Sequence, residues 1–191
     1  MNAMNWVDGM DGVSGVITLV AIITIFFLSL KPEVNQPPIG IVTAALAGSL
    51  VAFLIYNYNP ARIMAGTSGS MFMGFILAVL AIFAGAKIAT TLMVLAIPII
   101  DALWVLGERI YLKKSIFEAD QRHLHFRLLK IGWSVRKIFL FYFLTTSVIA
   151  VLALRMRSIG KIATMLIFAL FLVLILLYLA RKVSSENEKY N

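Results

Sequence analysis

Long apolar runs, separated by short polar or proline-containing segments, constrain the fold of this 191-residue chain more than any other feature. Hydrophobic residues make up 61% of the sequence and charged residues 14%, and the mean hydropathy is +0.95. Soluble domains are about half apolar and about a quarter charged. A helix needs about 20 mostly apolar residues to cross the hydrocarbon layer of a bilayer. The sequence therefore predicts an integral membrane protein of the all-α class.

The spacing of the apolar runs predicts a polytopic bundle of about six transmembrane helices, with residues 1–191 forming a single membrane domain. The run 70–106 is too long for one span, and residues 84–87 are the only plausible turn at which to divide it. The predicted spans are then 13–30, 39–56, the two parts of 70–106, 138–154 and 162–180. Residues 107–137 form a charged loop, and residues 181–191 form a polar tail.

The basic residues indicate which side of the membrane the loops face. Six spans put both termini on one side, where twelve of the lysines and arginines lie, and five lie in the opposite loops. By the positive-inside rule, the termini, the loop 107–137 and the tail are expected in the cytoplasm, with the protein in the cell membrane. Arg155 and Arg157 disagree with this assignment, because they lie in a loop predicted on the opposite side of the membrane. The chain has no cysteine, so disulfides and thiolate metal sites are excluded. The amino terminus has no basic n-region and does not resemble a signal peptide.

A cluster of amide and carboxylate side chains precedes the first predicted span. Its members recur every third residue: Asn2, Asn5, Asp8 and Asp11. A helix through all of them would place them along one face at the mouth of a membrane helix. Ionisable groups this close to hydrocarbon are costly and are usually functional. The alternative is a solvated turn in which these side chains cap the first helix.

Glycine and serine dominate the segment before the third span, residues 66–70 (GTSGS). As a turn just ahead of a helix amino terminus, this segment would wrap a phosphate with backbone N–H groups and hydroxyls. The candidate binding residues are Gly66, Ser68, Gly69 and Ser70. Glycine and serine also mark ordinary loops, so the segment alone does not decide between the two interpretations.

The two histidines of the chain, His123 and His125, lie between Arg122 and Arg127 in the charged loop. In an extended segment alternate side chains point to the same side, so both imidazoles would face one anion with the guanidinium groups beside them. This grouping predicts a diphosphate clamp. A zinc site is disfavoured because the chain offers neither cysteine nor a third histidine. The alternative is a basic loop that anionic lipid head groups attract.

A further carboxylate, Asp101, lies near the cytoplasmic end of the fourth span, followed by Glu108 and Arg109. Two interpretations remain open: Asp101 contacts substrate, or it forms a structural ion pair with Arg109. Together with the clusters above, it would form a polar bowl on the cytoplasmic face of a membrane bundle. Such a bowl suits a reaction between a soluble charged substrate and a lipid.

Four segments resemble, in this order, the motifs of the polyprenyl-phosphate N-acetylhexosamine-1-phosphate transferases. They are residues 2–12 (NAMNWVDGMDG), 66–74 (GTSGSMFMG), 98–101 (PIID) and 120–129 (DQRHLHFRLL). The resemblance extends from residue 2 to about residue 150. It looks like the branch that primes wall teichoic acid, O-antigen and other surface polysaccharides. The phospho-N-acetylmuramoyl-pentapeptide translocases differ, because their loop typically has three adjacent histidines followed by Phe-Glu.

The resemblance implies transfer of N-acetylhexosamine 1-phosphate from a UDP-sugar, such as UDP-GlcNAc, to undecaprenyl phosphate, with Mg²⁺ as cofactor and UMP as the second product. It implies catalytic roles for Asp8, Asp11, His123 and His125, the two aspartates also being Mg²⁺ ligands. It implies substrate contacts for the remaining motif residues: Asn2, Asn5, Gly66, Ser68, Gly69, Ser70, Asp101, Arg122 and Arg127. Membrane lipids are expected as partners and nucleic acid is not. The sequence leaves open which UDP-sugar is used, which polysaccharide is primed, and whether the chain forms a homodimer.

Two departures from the family pattern bear on activity. Members carry an adjacent Asp-Asp pair on an earlier cytoplasmic helix end, and this sequence has none. The family's glycine motif reads Gly-Asp-x-Gly-Ser, and the position of its implied metal-ligating aspartate holds Thr67, which has no charge to offer Mg²⁺. We therefore expect the chain to be incomplete or inactive by itself.

Three interpretations of these departures remain. The chain is the carboxy-terminal part of a longer family member, or it is a homologue that binds a nucleotide sugar or lipid carrier without turnover. The third alternative is half of a transporter, since intramembrane polar residues also mark substrate paths. A transporter half predicts internal repeats, which the sequence does not show.

Overall fold

A computed structural model describes residues 1–84, 88–113, 115, 121–156 and 158–189, without the side chains of residue 158 and of residues 183–189. Within these ranges every regular element is a helix, as the sequence predicted. The helices are α1 (Asn2–Val7), α2 (Val13–Ser29), α3 (Pro37–Asn57), α4 (Gly66–Phe83), α5 (Ile88–Val94), α6 (Ala96–Tyr111), α7 (Leu124–Lys130), α8 (Val135–Arg155) and α9 (Ser158–Lys189).

Four helices have the length and apolar composition of a membrane span: α3, α4, α8 and the stretch Ile159–Lys182 of α9. Helices α5 and α6 meet the same test as a pair, although they are bent by 70° at their junction, and they make a fifth candidate. The polytopic all-α bundle is therefore confirmed. The first predicted span, 13–30, corresponds to α2, which is apolar but has only 17 residues.

Helix α2 is the central helix of the bundle, since α3, α4, α5 and α8 all pack against it. Thirteen of its 17 residues are buried, which explains why it is apolar on every side. Small residues allow close helix contacts in membrane bundles. At Gly15 of α2 an added Cβ would lie 2.8 Å from Cδ2 of Leu54 on α3. A side chain at this position would force Leu54 to move.

The predicted division of the run 70–106 is correct, because α4 ends at Phe83 and α5 begins at Ile88. The predicted start of this run is wrong: α4 begins at Gly66, so residues 66–70 are its first turn and not a turn ahead of it. Ser70 lies inside this helix, where its hydroxyl donates to the carbonyl of Gly66 at 2.9 Å.

The bend between α5 and α6 has a covalent cause. Pro98 is the third residue of α6. A proline ring clashes with the carbonyl four residues earlier in a continuous helix, here that of Val94, the last residue of α5. Near the start of a new helix, by contrast, the missing N–H costs nothing because the first N–H groups have no partner within the helix. The chain therefore breaks at Leu95, and α6 leaves in a new direction.

Candidate active site

The first motif folds as a short helix and a turn. Helix α1 ends at Val7, and Asp8 is its carboxy-terminal cap. The prediction that Asn2, Asn5, Asp8 and Asp11 share one helix face is therefore wrong. The chain turns between the two helices, and Gly12, the residue just before α2, has a left-handed φ of +74° that glycine tolerates.

Asp8 is half-buried and accepts a hydrogen bond from the hydroxyl of Ser14 in the first turn of α2. Burial raises the pKa of Asp8 above its ordinary value of 3.8, and the hydrogen bond from Ser14 opposes this shift. The carboxylate thus lies at the amino terminus of α2 in an environment that disfavours its charge. A cation or a set of hydrogen-bond donors would stabilise it there.

Asp11 points to a different part of the molecule. Its Oδ2 accepts a hydrogen bond from Nδ2 of Asn59 at 2.8 Å and another from the backbone N–H of Ala61 at 3.1 Å. The next residue, Gly12, donates its N–H to Oδ1 of Asn57 at 3.0 Å. These contacts fasten the α3–α4 connection to the first motif. Asn57 and Asn59 were a visible signal in the sequence for side-chain to backbone hydrogen bonds at this connection.

The glycine-serine motif meets the first motif directly. Nδ2 of Asn5 donates to Oγ of Ser70, which is fully buried, at 2.9 Å. One turn further along α4, a Cβ added at Gly74 would lie 2.7 Å from Cα of Met1, so only glycine allows this contact. Ser70 therefore positions α1 and faces away from solvent.

The other members of this motif, Gly66, Thr67 and Ser68, are exposed in the first turn of α4. Gly66 has a φ of +64°, and no atom lies within 4 Å of where its Cβ would be. The first N–H groups of an 18-residue helix have no partners within the helix, and its dipole favours anions there. The predicted phosphate contact at these residues stays a prediction, and it would be a contact with the first turn of the helix and not with a turn ahead of it.

Asp101 and His123 form the buried contact that joins α6 to the histidine loop. Oδ2 of Asp101 lies 2.9 Å from Nδ1 of His123, and its Oδ1 accepts the N–H of Leu124 at 2.8 Å. The carboxylate thereby caps the amino terminus of α7, whose own capping residue, His123, makes no side-chain cap. The sequence left Asp101 open between substrate and Arg109, and neither interpretation anticipated the contact with His123.

The histidines lie at the start of a helix and not in the extended segment that the sequence analysis assumed. Their rings are nevertheless parallel within 3°, with centroids 5.9 Å apart. The ring of Trp6 lies 5.9 Å from that of His123, and a Cβ at Gly9 would lie 2.8 Å from Nε2 of His125. The first motif and the histidine loop, more than a hundred residues apart in sequence, are in contact.

His125 is fully buried, and neither of its ring nitrogens has a hydrogen-bond partner within the described residues. Burial, and secondly the charge of His123, lower the pKa of His125 from 6.5 to about 3. At neutral pH this imidazole is therefore uncharged. It can donate or accept a hydrogen bond, but it cannot serve as a cation in the predicted diphosphate clamp.

Arg127 is also buried, and its guanidinium is already engaged. Its Nη2 forms an ion pair with Oε2 of Glu108 on α6, and its Nε donates to the carbonyl of Arg122. Glu108 accepts a second hydrogen bond, from Nε1 of Trp104 at 2.8 Å. The structure thus shows Arg127 fixing α7 to α6. Asp120, the first residue of the loop motif, lies outside the described residues.

Magnesium fits this site only in part. No group of three or more histidine or acidic side chains lies together anywhere in the described ranges. Mg²⁺ in proteins is often held by one or two carboxylates together with water and substrate phosphates. Asp8 meets that requirement as a single carboxylate, whereas one oxygen of Asp11 already holds the α3–α4 connection. Phosphate oxygens of a substrate would have to complete the coordination.

The chain is similar in sequence to known sugar-phosphate transferases. Residues 1–85 match the model of the family described as glycosyl transferase family 4. The chain is 35% identical to the decaprenyl-phosphate N-acetylglucosaminephosphotransferase of Mycobacterium leprae, over 78% of this chain and 44% of that protein. It is 28% identical to the probable undecaprenyl-phosphate N-acetylglucosaminyl 1-phosphate transferase of Bacillus subtilis, over 99% of this chain and 54% of that protein.

A relative from another branch is also similar. The phospho-N-acetylmuramoyl-pentapeptide-transferase of Lactococcus lactis is 33% identical over 63% of this chain and 39% of its own length. The chain thus spans about half the length of the curated relatives that it matches.

Proposed function

Because this chain belongs to glycosyl transferase family 4, a family of sugar-phosphate transferases, we propose that it takes part in transferring N-acetylhexosamine 1-phosphate from a UDP-sugar to undecaprenyl phosphate. One observation carries the proposal: the four sequence motifs assemble at one end of the bundle. Asn5 bonds Ser70, Gly9 contacts His125, and His123 bonds Asp101. We call this assembly the motif end. Charged and polar groups gathered from distant parts of a membrane chain are characteristic of a site for a polar substrate.

The proposed reaction brings two anions together. An oxygen of the lipid phosphate attacks the sugar-bearing phosphorus of the UDP-sugar, a new P–O bond forms, and the P–O bond to UMP breaks. The site must therefore supply fixed hydrogen-bond donors and positive charge. The N–H groups in the first turn of α4 and the imidazole of His123 are candidate donors at the motif end. Mg²⁺, when bound, supplies the charge that neutralises the phosphates.

Asp101 gives His123 a defined orientation. The 2.9 Å contact assigns Nδ1–H as the donor to the carboxylate, which leaves Nε2 for the substrate. In this proposal Asp101 is a positioning residue and His123 contacts the substrate.

Thr67 favours binding over turnover. Because Thr67, in the exposed first turn of α4, has a neutral side chain, Asp8 supplies the main carboxylate for Mg²⁺. We therefore expect weak metal binding. This favours the second candidate function, a homologue that binds a nucleotide sugar without turning it over. Both candidates predict UDP-sugar binding, and neither predicts UMP release by this chain on its own.

Binding is tested by titrating UDP-GlcNAc into the purified chain in detergent and measuring the heat. Asp101→Asn should raise the dissociation constant for UDP-GlcNAc by about tenfold, because the charged partner of His123 is lost. Glu33→Gln, in the α2–α3 connection at the other end of α2, is the matched control and should bind as the unaltered chain does. Equal affinities for Asp101→Asn and the unaltered chain, or no binding at all, would overturn the proposal.

Turnover is tested with UDP-GlcNAc, Mg²⁺ and undecaprenyl phosphate. We expect no UMP release at the rates of active family members, and release at such rates would contradict the inactivity that we assign to Thr67. Thr67→Asp should strengthen the Mg²⁺-dependent part of UDP-GlcNAc binding, since it restores a carboxylate at the helix terminus. An unchanged Mg²⁺ dependence would show that Thr67 is not the cause.

A further inference from the structure

A second concave site lies away from the motif end. A cavity of about 240 Å³ opens where α5, α8 and α9 meet, lined among others by Met93 of α5, Val148 and Leu152 of α8, and Thr164 and Phe168 of α9. Val148 is 59% exposed, so the cavity opens to the outer surface of the bundle. In a bilayer that surface faces lipid.

The polar atoms of the cavity lining are satisfied within their own segments. The hydroxyl of Thr145 donates to the carbonyl of Phe141 at 2.6 Å, and the hydroxyl of Thr164 contacts the sulfur of Met156 at 2.9 Å. The remaining lining is apolar. The interior therefore suits a hydrocarbon chain and offers little to a polar molecule.

Cationic side chains gather at one end of this cavity. Nζ of Lys161 lies 2.5 Å from Oγ1 of Thr90, one turn before Met93, and Lys161 itself is one turn before Thr164. Arg155 follows the lining residue Leu152 by three positions. Nζ of Lys31 reaches the carbonyl of Leu154 in the same last turn of α8. We call Lys31, Arg155 and Lys161 the basic end.

The basic end lies opposite the motif end along the bundle, because α8 runs from the histidine loop to Arg155 and α9 runs back. Arg155 at this end is an exception to the excess of lysine and arginine on the other side of the membrane, from which the orientation of the chain is predicted. The neighbouring α2–α3 connection contributes one acidic side chain, Glu33. Among the described residues of the basic end, Lys31, Arg155 and Lys161 therefore outnumber the acidic side chains. Positive charge at this end favours an anionic ligand over a neutral one.

An apolar cavity open to lipid, with cations at one mouth, matches an amphiphile that has an anionic head and a hydrocarbon tail. We propose that this cavity binds one acyl chain of an anionic phospholipid from the leaflet at the basic end, with the lipid phosphate held by Arg155 and Lys161. The proposal is independent of the reaction at the motif end. The proposal also gives a role to the basic residues of this end, which the positive-inside rule does not explain.

Native mass spectrometry of the full chain in detergent tests the head group. Phosphatidylglycerol and phosphatidylcholine with identical acyl chains are added separately. We expect one phosphatidylglycerol to bind more tightly than phosphatidylcholine, and Arg155→Gln and Lys161→Gln each to weaken it by about fivefold. Arg62→Gln, an exposed cation beside the motif end, is the control and should bind as before. Equal binding of both lipids, or equal loss in the control, would overturn the proposal.

A second variant tests the cavity. Val148→Trp would fill it from the exposed side and should abolish the tight phosphatidylglycerol adduct, whereas Val51→Trp, on the exposed face of α3, should not. Both positions are exposed, so neither substitution disrupts the core, and gel filtration verifies that the variants are intact. Retention of the adduct in Val148→Trp would rule out this cavity. Displacement of phosphatidylglycerol by an equal concentration of undecaprenyl phosphate would contradict a phospholipid as the occupant.

Discussion

A single glycine sets how closely the first motif approaches the histidine loop. A Cβ at Gly9 would lie 2.8 Å from Nε2 of His125 and 3.0 Å from Cζ of Phe126. Gly9→Ala must therefore push α7 away from the first motif. We expect a loss of about 1–3 kcal/mol in the free energy of unfolding, which is typical of an overpacked contact, and weaker UDP-GlcNAc binding. Thermal unfolding in detergent and calorimetric titration measure the two effects.

Gly48 provides the matched control. It lies within α3, and no atom comes within 4 Å of where its Cβ would be. Gly48→Ala should therefore leave binding unchanged and stabilise the chain by up to about 1 kcal/mol through helix propensity. If both substitutions destabilise the chain to a similar extent, the close contact with His125 is not the cause of the effect of Gly9→Ala.

The buried imidazole of His125 predicts an acid-sensitive fold. Its pKa is lowered to about 3 in the folded chain, against an ordinary value of 6.5. Below pH 6.5 the unfolded chain takes up a proton that the folded chain refuses, so stability falls as the pH falls from about 6.5 towards 3. Between pH 7 and pH 5 the expected loss is about 2 kcal/mol. Unfolding temperatures at the two pH values, for the unaltered chain and for His125→Gln, measure this difference, and an equal pH dependence in both would contradict it.

At the scale of elements, the bend between α5 and α6 positions the carboxylate that holds the histidine loop. Asp101 lies three residues after Pro98, in the first turns of α6. If Pro98 causes the 70° bend, Pro98→Ala allows the two helices to align. A straight helix would separate residues 88 and 110 by about 33 Å, and the 70° bend shortens this by about 5 Å.

Spin labels measure that separation. The chain has no cysteine, so Ile88→Cys and Ile110→Cys, both at exposed positions, introduce the only two labelling sites. We expect Pro98→Ala to lengthen the distance between the labels and to weaken UDP-GlcNAc binding as Asp101 moves from His123. An unchanged distance would mean that packing, and not the proline, maintains the bend.

The helices were predictable from sequence because apolar runs and their proline or glycine breaks are local signals. The division near residues 84–87 follows from such a signal and is correct. The contacts of Asp101 with His123 and of Asp11 with Asn59 were not predictable, because the partners are 22 and 48 residues apart. They depend on the direction of α6 and on the path of the α3–α4 connection. Thr67 and Ser70 were placed in a loop because glycine and serine dominate both loops and this helix start.

At the scale of the whole molecule, the bundle has two chemically different ends. The motif end gathers Asp8, Asp101 and the histidines, and the basic end gathers Lys31, Arg155 and Lys161. A UDP-sugar is a cytoplasmic molecule, and the tally of basic residues over the whole chain puts the motif end on the same side. The proposed donor substrate and the positive-inside rule therefore both predict a cytoplasmic motif end.

Cysteine labelling decides the orientation. Single cysteines are introduced at Lys130, exposed at the end of α7, and at Glu33, exposed in the α2–α3 connection. In intact bacterial cells a membrane-impermeant maleimide should label Glu33→Cys, and it should label Lys130→Cys only after the membrane is permeabilised. The reverse pattern would place the motif end outside the cell, away from UDP-sugars, and the proposed transfer would then lack its donor substrate. Labelling of both sites in intact cells would contradict a membrane-spanning bundle.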